Sequence, residues 1–155
     1  RSEWRHDGSL DWSLLQHAPH STLQRWVEDL HRLYRSEPAL HTNDASPEGF
    51  ESIDCNDSDQ SIVSFIRKGH SPGDVVLAVC NFTPVPRLNY RVGVPRGGFW
   101  QEVLNSDAKE YGGSGIGNMG GVDAAPAPWH GRHHSLDITL PPLAVVFFKP
   151  WERIK

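Results

Sequence analysis

Cysteine is scarce in this chain, and its scarcity removes several classes of function. Only Cys55 and Cys80 occur among 155 residues. They form neither a CxxC pair nor a set of bridges, which excludes a disulfide-stapled scaffold and a four-cysteine zinc module. Both lie in strand-like runs, so the expectation is two buried, reduced thiols and a cytoplasmic location. Long apolar runs are also missing: none approaches the ~18 residues that cross a bilayer as a helix, which argues against a membrane partner. Excess positive charge is missing too. The formal net charge is −4, whereas a nucleic-acid partner calls for a basic face that neutralises phosphates.

What is present is an ordinary globular mixture, 37% hydrophobic and 22% charged, with glycine and proline dense after residue 69 as in an all-β fold rich in turns. Residues 1–20 show no clear period and read as loop. Ser21 reads as a helix N-cap, with Gln24 completing a capping box. Leu23, Trp26, Val27, Leu30, Leu33 and Tyr34 then recur at helical spacing as one stripe. Glu37 to Leu40 suits a further short turn, and Thr42 to Glu48 suits a linker. From Phe50 the period becomes that of strands: Phe50 to Cys55, Gln60 to Arg67, Val75 to Phe82, Leu88 to Val94, Phe99 to Leu104, Leu136 to Leu140 and Leu143 to Phe148. In the third of these, Val76, Leu77, Val79 and Phe82 are expected to be buried. Residues 112–134 read as a long surface loop. About seven short strands at close spacing predict a mainly β fold, an antiparallel sandwich preceded by a short helical segment. The expected domain boundary separates residues 1–48 from residues 49–155.

Several motifs tempt and fail on context. Gly115-x-Gly117-x-x-Gly120 matches a dinucleotide fingerprint, but no helix pattern comes after it to meet a pyrophosphate. Asp54-x-Asn56-x-Ser58 opens like an EF-hand loop, yet the sixth position is Asp59 and the twelfth Phe65. His130, His133 and His134 lack metal-ligand spacing. Ser114 in GGSGIG lacks the strand–turn–helix setting of a nucleophile elbow. No cofactor and no metal is expected.

The run from Val76 to Asn118, VLAVCNFTPVPRLNYRVGVPRGGFWQEVLNSDAKEYGGSGIGN, resembles the C-terminal β domain of bacterial 1,4-α-glucan branching enzymes, members of the α-amylase superfamily. The likeness extends upstream through GSLDW (Gly8 to Trp12), LHRLYRSEPALH (Leu30 to His41) and DQSIVSFIRKG (Asp59 to Gly69), and downstream through APWHGRHHSLDITLPPLAVVFF (Ala127 to Phe148). It implies that residues 1–48 are the end of a catalytic (β/α)₈ barrel, a loop plus its last helix, and that residues 49–155 are a C-terminal all-β domain. Such enzymes move α-1,4-glucan chains onto 6-hydroxyls in glycogen through two opposed carboxylates. The resemblance places those carboxylates upstream of Arg1. His6-Asp7 matches a later segment, so no residue is carried over as catalytic. Glu3, Trp4, Asp11 and Trp12 resemble the loop after the last barrel strand, where substrate subsites are built, and are the candidate glucan contacts. Trp100, Tyr111, Trp129 and Trp151 are candidate sugar-stacking aromatics of the β domain, with packing in the core or at an interface as the alternative reading of each. The partners implied are α-glucan and the barrel of the same polypeptide, with the isolated chain structural and inactive. A stand-alone glucan-binding or barrel-partner β module is the alternative.

Overall fold

The computed structural model of the chain describes residues 6–151. A short 3₁₀ turn, Trp12–Gln16, lies within the stretch expected to be loop. The helix α1 spans Ala18–Ser36 and begins three residues before the expected cap. Pro19 explains the difference: in the first turn its fixed φ and missing N–H cost nothing, so the helix starts there. Ser21 is therefore inside α1, its hydroxyl donating back to the Ala18 carbonyl at 3.3 Å. At the other end the Glu37 N–H donates to the Leu33 carbonyl at 3.0 Å. The turn Pro38–Leu40 then buries Ala39 and Leu40.

Eight strands come next: β1 Phe50–Asp57, β2 Ile62–Lys68, β3 Val75–Asn81, β4 Arg87–Val94, β5 Gly98–Asn105, β6 Gly121–Ala124, β7 His134–Leu140 and β8 Ala144–Pro150. The strand β6 lies within the stretch expected to be surface loop. Four residues among glycines and prolines give little alternation to read, and β6 is held by pairing with β5. All pairings are antiparallel. Six strands form one sheet in the order β1-β2-β3-β8-β5-β6, and β4 and β7 form a second. An isolated bridge, Ala125 to Ser135, joins the two sheets on the β6 and β7 side. At the opposite side, β1 and β4 are open edges.

The alternation of side chains sorts the apolar residues onto two faces. Leu77 and Val79 on β3, Ile62 and Ile66 on β2, and Val146 and Phe148 on β8 point between the sheets. There they meet Tyr90, Val92, Val94, Leu136, Ile138 and Leu140 of the second sheet. Val76 and Leu104 face the other way and pack with Leu33, Ala39 and Leu40 beneath α1. The molecule is thus three layers: helix, six-stranded sheet, two-stranded sheet. A bulge between Glu102 and Leu104 reverses the faces of β5. Trp100 and Leu104, four apart, would otherwise share a face; instead Trp100 enters the sandwich core and Leu104 the helix side.

One burial expectation fails, and one candidate surface aromatic proves to be core. Phe82 is 64% exposed, whereas Val76, Leu77 and Val79 are fully buried. The strand stops at Asn81, whose side-chain amide donates to the carbonyls of Val85 and Pro141, both at 2.9 Å. That pair of bonds turns the chain and releases Phe82 outward. Trp100 is not a surface aromatic: it is fully buried, with its indole N–H donating to the Arg96 carbonyl at 3.2 Å.

Candidate functional site

The N-terminal candidates divide. Glu3 and Trp4 lie outside the described residues. Asp11 caps the Trp12–Gln16 turn, accepting from the Ser13 N–H at 3.2 Å and the Ser13 hydroxyl at 2.5 Å. Trp12 comes next and is 63% exposed. Asp11 already has a structural task as an N-cap, while Trp12 presents an apolar ring to solvent just before α1.

The helix side carries an unfinished apolar surface. Trp26, Leu30 and Leu33, at i, i+4 and i+7, pack onto the sheet, while Leu23, Val27 and Tyr34 of the same stripe are exposed. Tyr111 locks the contact. Its ring meets Trp26 edge-on at 5.1 Å, and its hydroxyl donates to Asp29 at 2.8 Å. Burial, and then that bond to a carboxylate, push the phenol up to about 12, so it remains a donor at neutral pH. The Lys149 ammonium pairs with Glu37 at 2.7 Å, tying β8 to the end of the helix. Beside Trp26, an apolar groove of about 450 Å³ is lined by Phe65, Cys80, Phe82, Leu143 and Phe147. Burial raises the free Cys80 thiol above its ordinary range, which keeps it protonated and inert at neutral pH. The side chain of Cys55 lies outside those described.

The loop after β5 is held by side-chain hydrogen bonds to its own backbone. Asp107 accepts from the Ser114 N–H at 2.9 Å and the Ile116 N–H at 3.2 Å, and pairs with the Ser114 hydroxyl. Glu102 accepts from the Asn118 N–H at 3.1 Å and the Asn118 amide at 2.6 Å. Asn118 also exchanges bonds with the Thr139 main chain at 3.0 and 2.8 Å. A Cβ at Gly113 would lie 2.1 Å from the Asp107 carbonyl oxygen, so this packing admits only glycine there. The GxGxxG spacing leads into strand β6 and not into a helix, so it lacks the geometry that holds a pyrophosphate.

The most chemically varied surface lies where the open edges of β1 and β4 come together. A cleft of about 910 Å³ is bordered by Asp54 and Asp57 of β1, Gln60, residues 86–91, Trp129, His130 and Asp137. Arg91 and Asp137 are cross-strand partners on β4 and β7. The guanidinium makes a two-pronged contact, Nε and Nη2 to the two carboxylate oxygens at 2.9 and 2.8 Å. That contact, more than the weaker opposing effect of burial, holds the Asp137 carboxyl below its usual range. The same guanidinium lies 5.9 Å from the centre of the Trp129 ring.

Trp129 and His130 reach this position because β4 carries Gly93, where a Cβ would come within 2.2 Å of the Trp129 carbonyl. His130 Nδ1 accepts from the Gly93 N–H at 3.4 Å, and its Nε2 is 3.6 Å from Asp54. Burial lowers the imidazole's proton affinity, Asp54 opposes that, and Arg132 reinforces it. The ring is therefore neutral at pH 7, and its approach to Asp54 is a dipolar contact. Burial first, then Asp57 and Asp54, push the Tyr90 phenol far up, leaving it a donor to Asp57 at 3.4 Å. No spacing in the sequence links β1, β4 and the 129–130 turn, and Trp129 stands out there only as a candidate aromatic. Among the described residues no group of three His, Cys, Asp or Glu side chains is arranged to hold a metal ion, and no helix is long and apolar enough to cross a membrane.

Comparison with known proteins adds a family and relatives. The family model described as alpha amylase, C-terminal all-beta domain, matches residues 52–150. The chain is 57% identical, over 95% of its length, to a 1,4-alpha-glucan branching enzyme of Aquifex aeolicus, of which it covers 23%. It is 58% identical over 96% of its length to one from Cereibacter sphaeroides, covering 20% of that protein. Over 97% of its length it is 55% identical to one from Aromatoleum aromaticum, covering 23%. The chain thus spans less than a quarter of the curated relatives it matches.

Proposed function

The chain belongs to the family of alpha amylase C-terminal all-beta domains, and from that premise we propose that it is the C-terminal part of a 1,4-α-glucan branching enzyme acting in the cytoplasm on glycogen-type glucan. The observation that carries this is the extent of the likeness. The family model begins at residue 52, but the relatives are 55–58% identical over 95% or more of the chain, a span that takes in α1 as well. In this reading residues 1–48 close a (β/α)₈ barrel and residues 49–155 are the β domain.

The described structure supports a division of labour. Retaining transfer between glucans needs two carboxylates held ~5–5.5 Å apart across the scissile bond, on a rigid scaffold. We assign that chemistry to the barrel: an α-1,4 link is broken, the chain is held on a carboxylate and then passed to a 6-hydroxyl. Several of the carboxylates described here have other work: Asp11 caps a turn, Asp107 and Glu102 brace a loop, and Asp137 clamps Arg91. The exposed side of α1 and the groove lined by Phe82 and Leu143 face the barrel. Glu3, Trp4, Asp11 and Trp12 border its substrate face, where Trp12 offers an exposed ring to a sugar.

The test is to sequence the DNA upstream of Arg1 and assay the encoded polypeptide on amylose by iodine staining, then by debranching and chain-length analysis. A barrel reading frame and new α-1,6 branches are expected, with none formed by the 155-residue chain alone. Branches made by the 155 residues, and lost on changing one of their own carboxylates, would overturn the assignment.

A further inference from the structure

We propose that the cleft between the open edges of β1 and β4 is a glucan-holding site, with Trp129 as its stacking platform. The ligand class rests on the reading above; the site itself rests on the geometry.

Size and position come first. At about 910 Å³ the cleft is in the range that accepts small ligands. Its lining comes from β1 and the turn after it, β4 and the residue before it, the 129–130 turn and β7, and none of it from α1. A partner covering the helix side therefore leaves the cleft open to solvent.

The chemistry of the walls selects an uncharged polyol. Trp129 is 45% exposed, and Leu88 on the same cleft 70%, among the polar groups of the wall. Its orientation is fixed beforehand by Arg91 at 5.9 Å and the His130 ring at 5.7 Å, and Arg91 is in turn clamped by Asp137. A pyranose presents a patch of C–H groups to such a ring and hydroxyls around its rim. Asp137, Asp57, Gln60 and Asn89 supply the acceptors and donors those hydroxyls require. Arg87, on the same wall, has an Nε that is buried without a hydrogen-bond partner among the described residues. A phosphate or nucleic acid is disfavoured. Three carboxylates, Asp54, Asp57 and Asp137, border the cleft against the two guanidinium groups of Arg87 and Arg91, Arg91 is already engaged by Asp137, and His130 is neutral.

The experiment is native electrophoresis of the 155-residue chain in gels cast with and without amylopectin. The unmodified chain should be retarded by the polymer. Trp129→Ala should weaken its apparent affinity about tenfold or more (~1.4 kcal/mol per tenfold), Trp129→Phe should retain part of it, and Phe82→Ala on the opposite side should retain all of it. Thermal melts confirm that each variant is folded. Equal mobility of the unmodified chain in both gels overturns the proposal, as does undiminished retardation of folded Trp129→Ala. Retardation is read on the chain alone and branching on the longer polypeptide, so the two readings fail separately. Branching without retardation removes the cleft and keeps the enzyme reading. Trp129-dependent retardation without branching keeps the cleft and leaves a glucan-binding module.

Discussion

The two faces of the six-stranded sheet are both apolar, yet only one is finished. Between the sheets, Leu77, Val79, Trp100, Val146 and Phe148 are fully buried against Val92, Leu136 and Leu140. Under α1, Leu33, Val76 and Leu104 are buried, but the cluster runs out into exposed Leu23, Val27, Phe82 and Leu143. A closed core stabilises the fold that contains it. An open one with contiguous exposed side chains marks a contact surface. The same sheet thus serves as the centre of one domain and as the mounting for something further, which fits a chain spanning less than a quarter of its relatives.

The largest expected effect tests the closed side. Leu77→Ala removes a side chain with no exposure, packed between sheets that have little freedom to collapse, and should cost about 3–5 kcal/mol. Leu33→Ala, in the smaller cluster whose neighbours on α1 can shift, should fall near the lower end of the ~2–5 kcal/mol range. Urea unfolding of both variants measures the difference. Equal costs would mean that the helix side is as tightly determined as the sandwich, and the contrast between the faces would collapse.

This asymmetry is only half legible in the sequence. The strong apolar runs from Ile62, Val75 and Ala144 locate their strands to within a residue or two, because burial on both faces leaves an almost continuous apolar signature. The helical stripe is legible as a stripe, but its partner is not. The spacing of Trp26, Leu30 and Leu33 says that they share a face and says nothing of the sheet beneath. The bulge in β5 is invisible, since one extra residue leaves composition unchanged while reversing a face. The start of α1 is obscured because Ser21 and Gln24 imitate a capping box just after Pro19, which sets the first turn. The cleft is illegible for a topological reason: Asp54, Arg91 and Trp129 are far apart in the chain and meet only because β1 and β4 are both edges.

The open side invites the opposite kind of test. Leu23→Ser combined with Phe82→Ser changes two exposed side chains, so stability should move by no more than about 0.5 kcal/mol per site. Association should respond instead. Light scattering of the unmodified chain at rising concentration should show self-association through the apolar side, reduced in the double variant. A monodisperse unmodified chain at every concentration would mean that the exposed groups do not act as a sticky surface. A large stability loss would mean that they belong to the core after all.

The smallest effect belongs to the cleft and is read through pH. In the fold, His130 accepts from the Gly93 N–H, and burial, opposed by Asp54 and reinforced by Arg132, lowers its proton affinity below the ordinary 6.5. The unfolded chain recovers the ordinary value, so in the window below 6.5 it binds more protons than the folded chain does. The contribution of the neutral ring is therefore fully present above that value and is lost as pH falls through it. Glu51 acts lower down. Burial raises its carboxyl, but Lys68 and Arg132 outweigh that and hold it below 4.5, so its contribution is present above 4.5 and lost as pH drops further. The two windows separate the groups. His130→Asn keeps a side-chain acceptor and tolerates the left-handed φ of 46° at this position, and it does not titrate. Thermal melting across the range from about pH 7 to about pH 3 should show the unmodified chain losing stability in two stages. The variant should keep only the lower one. A variant whose upper stage is unchanged would show that His130 titrates alike in the folded and unfolded chain, and the contact with Gly93 would then carry no stabilising preference for the neutral ring.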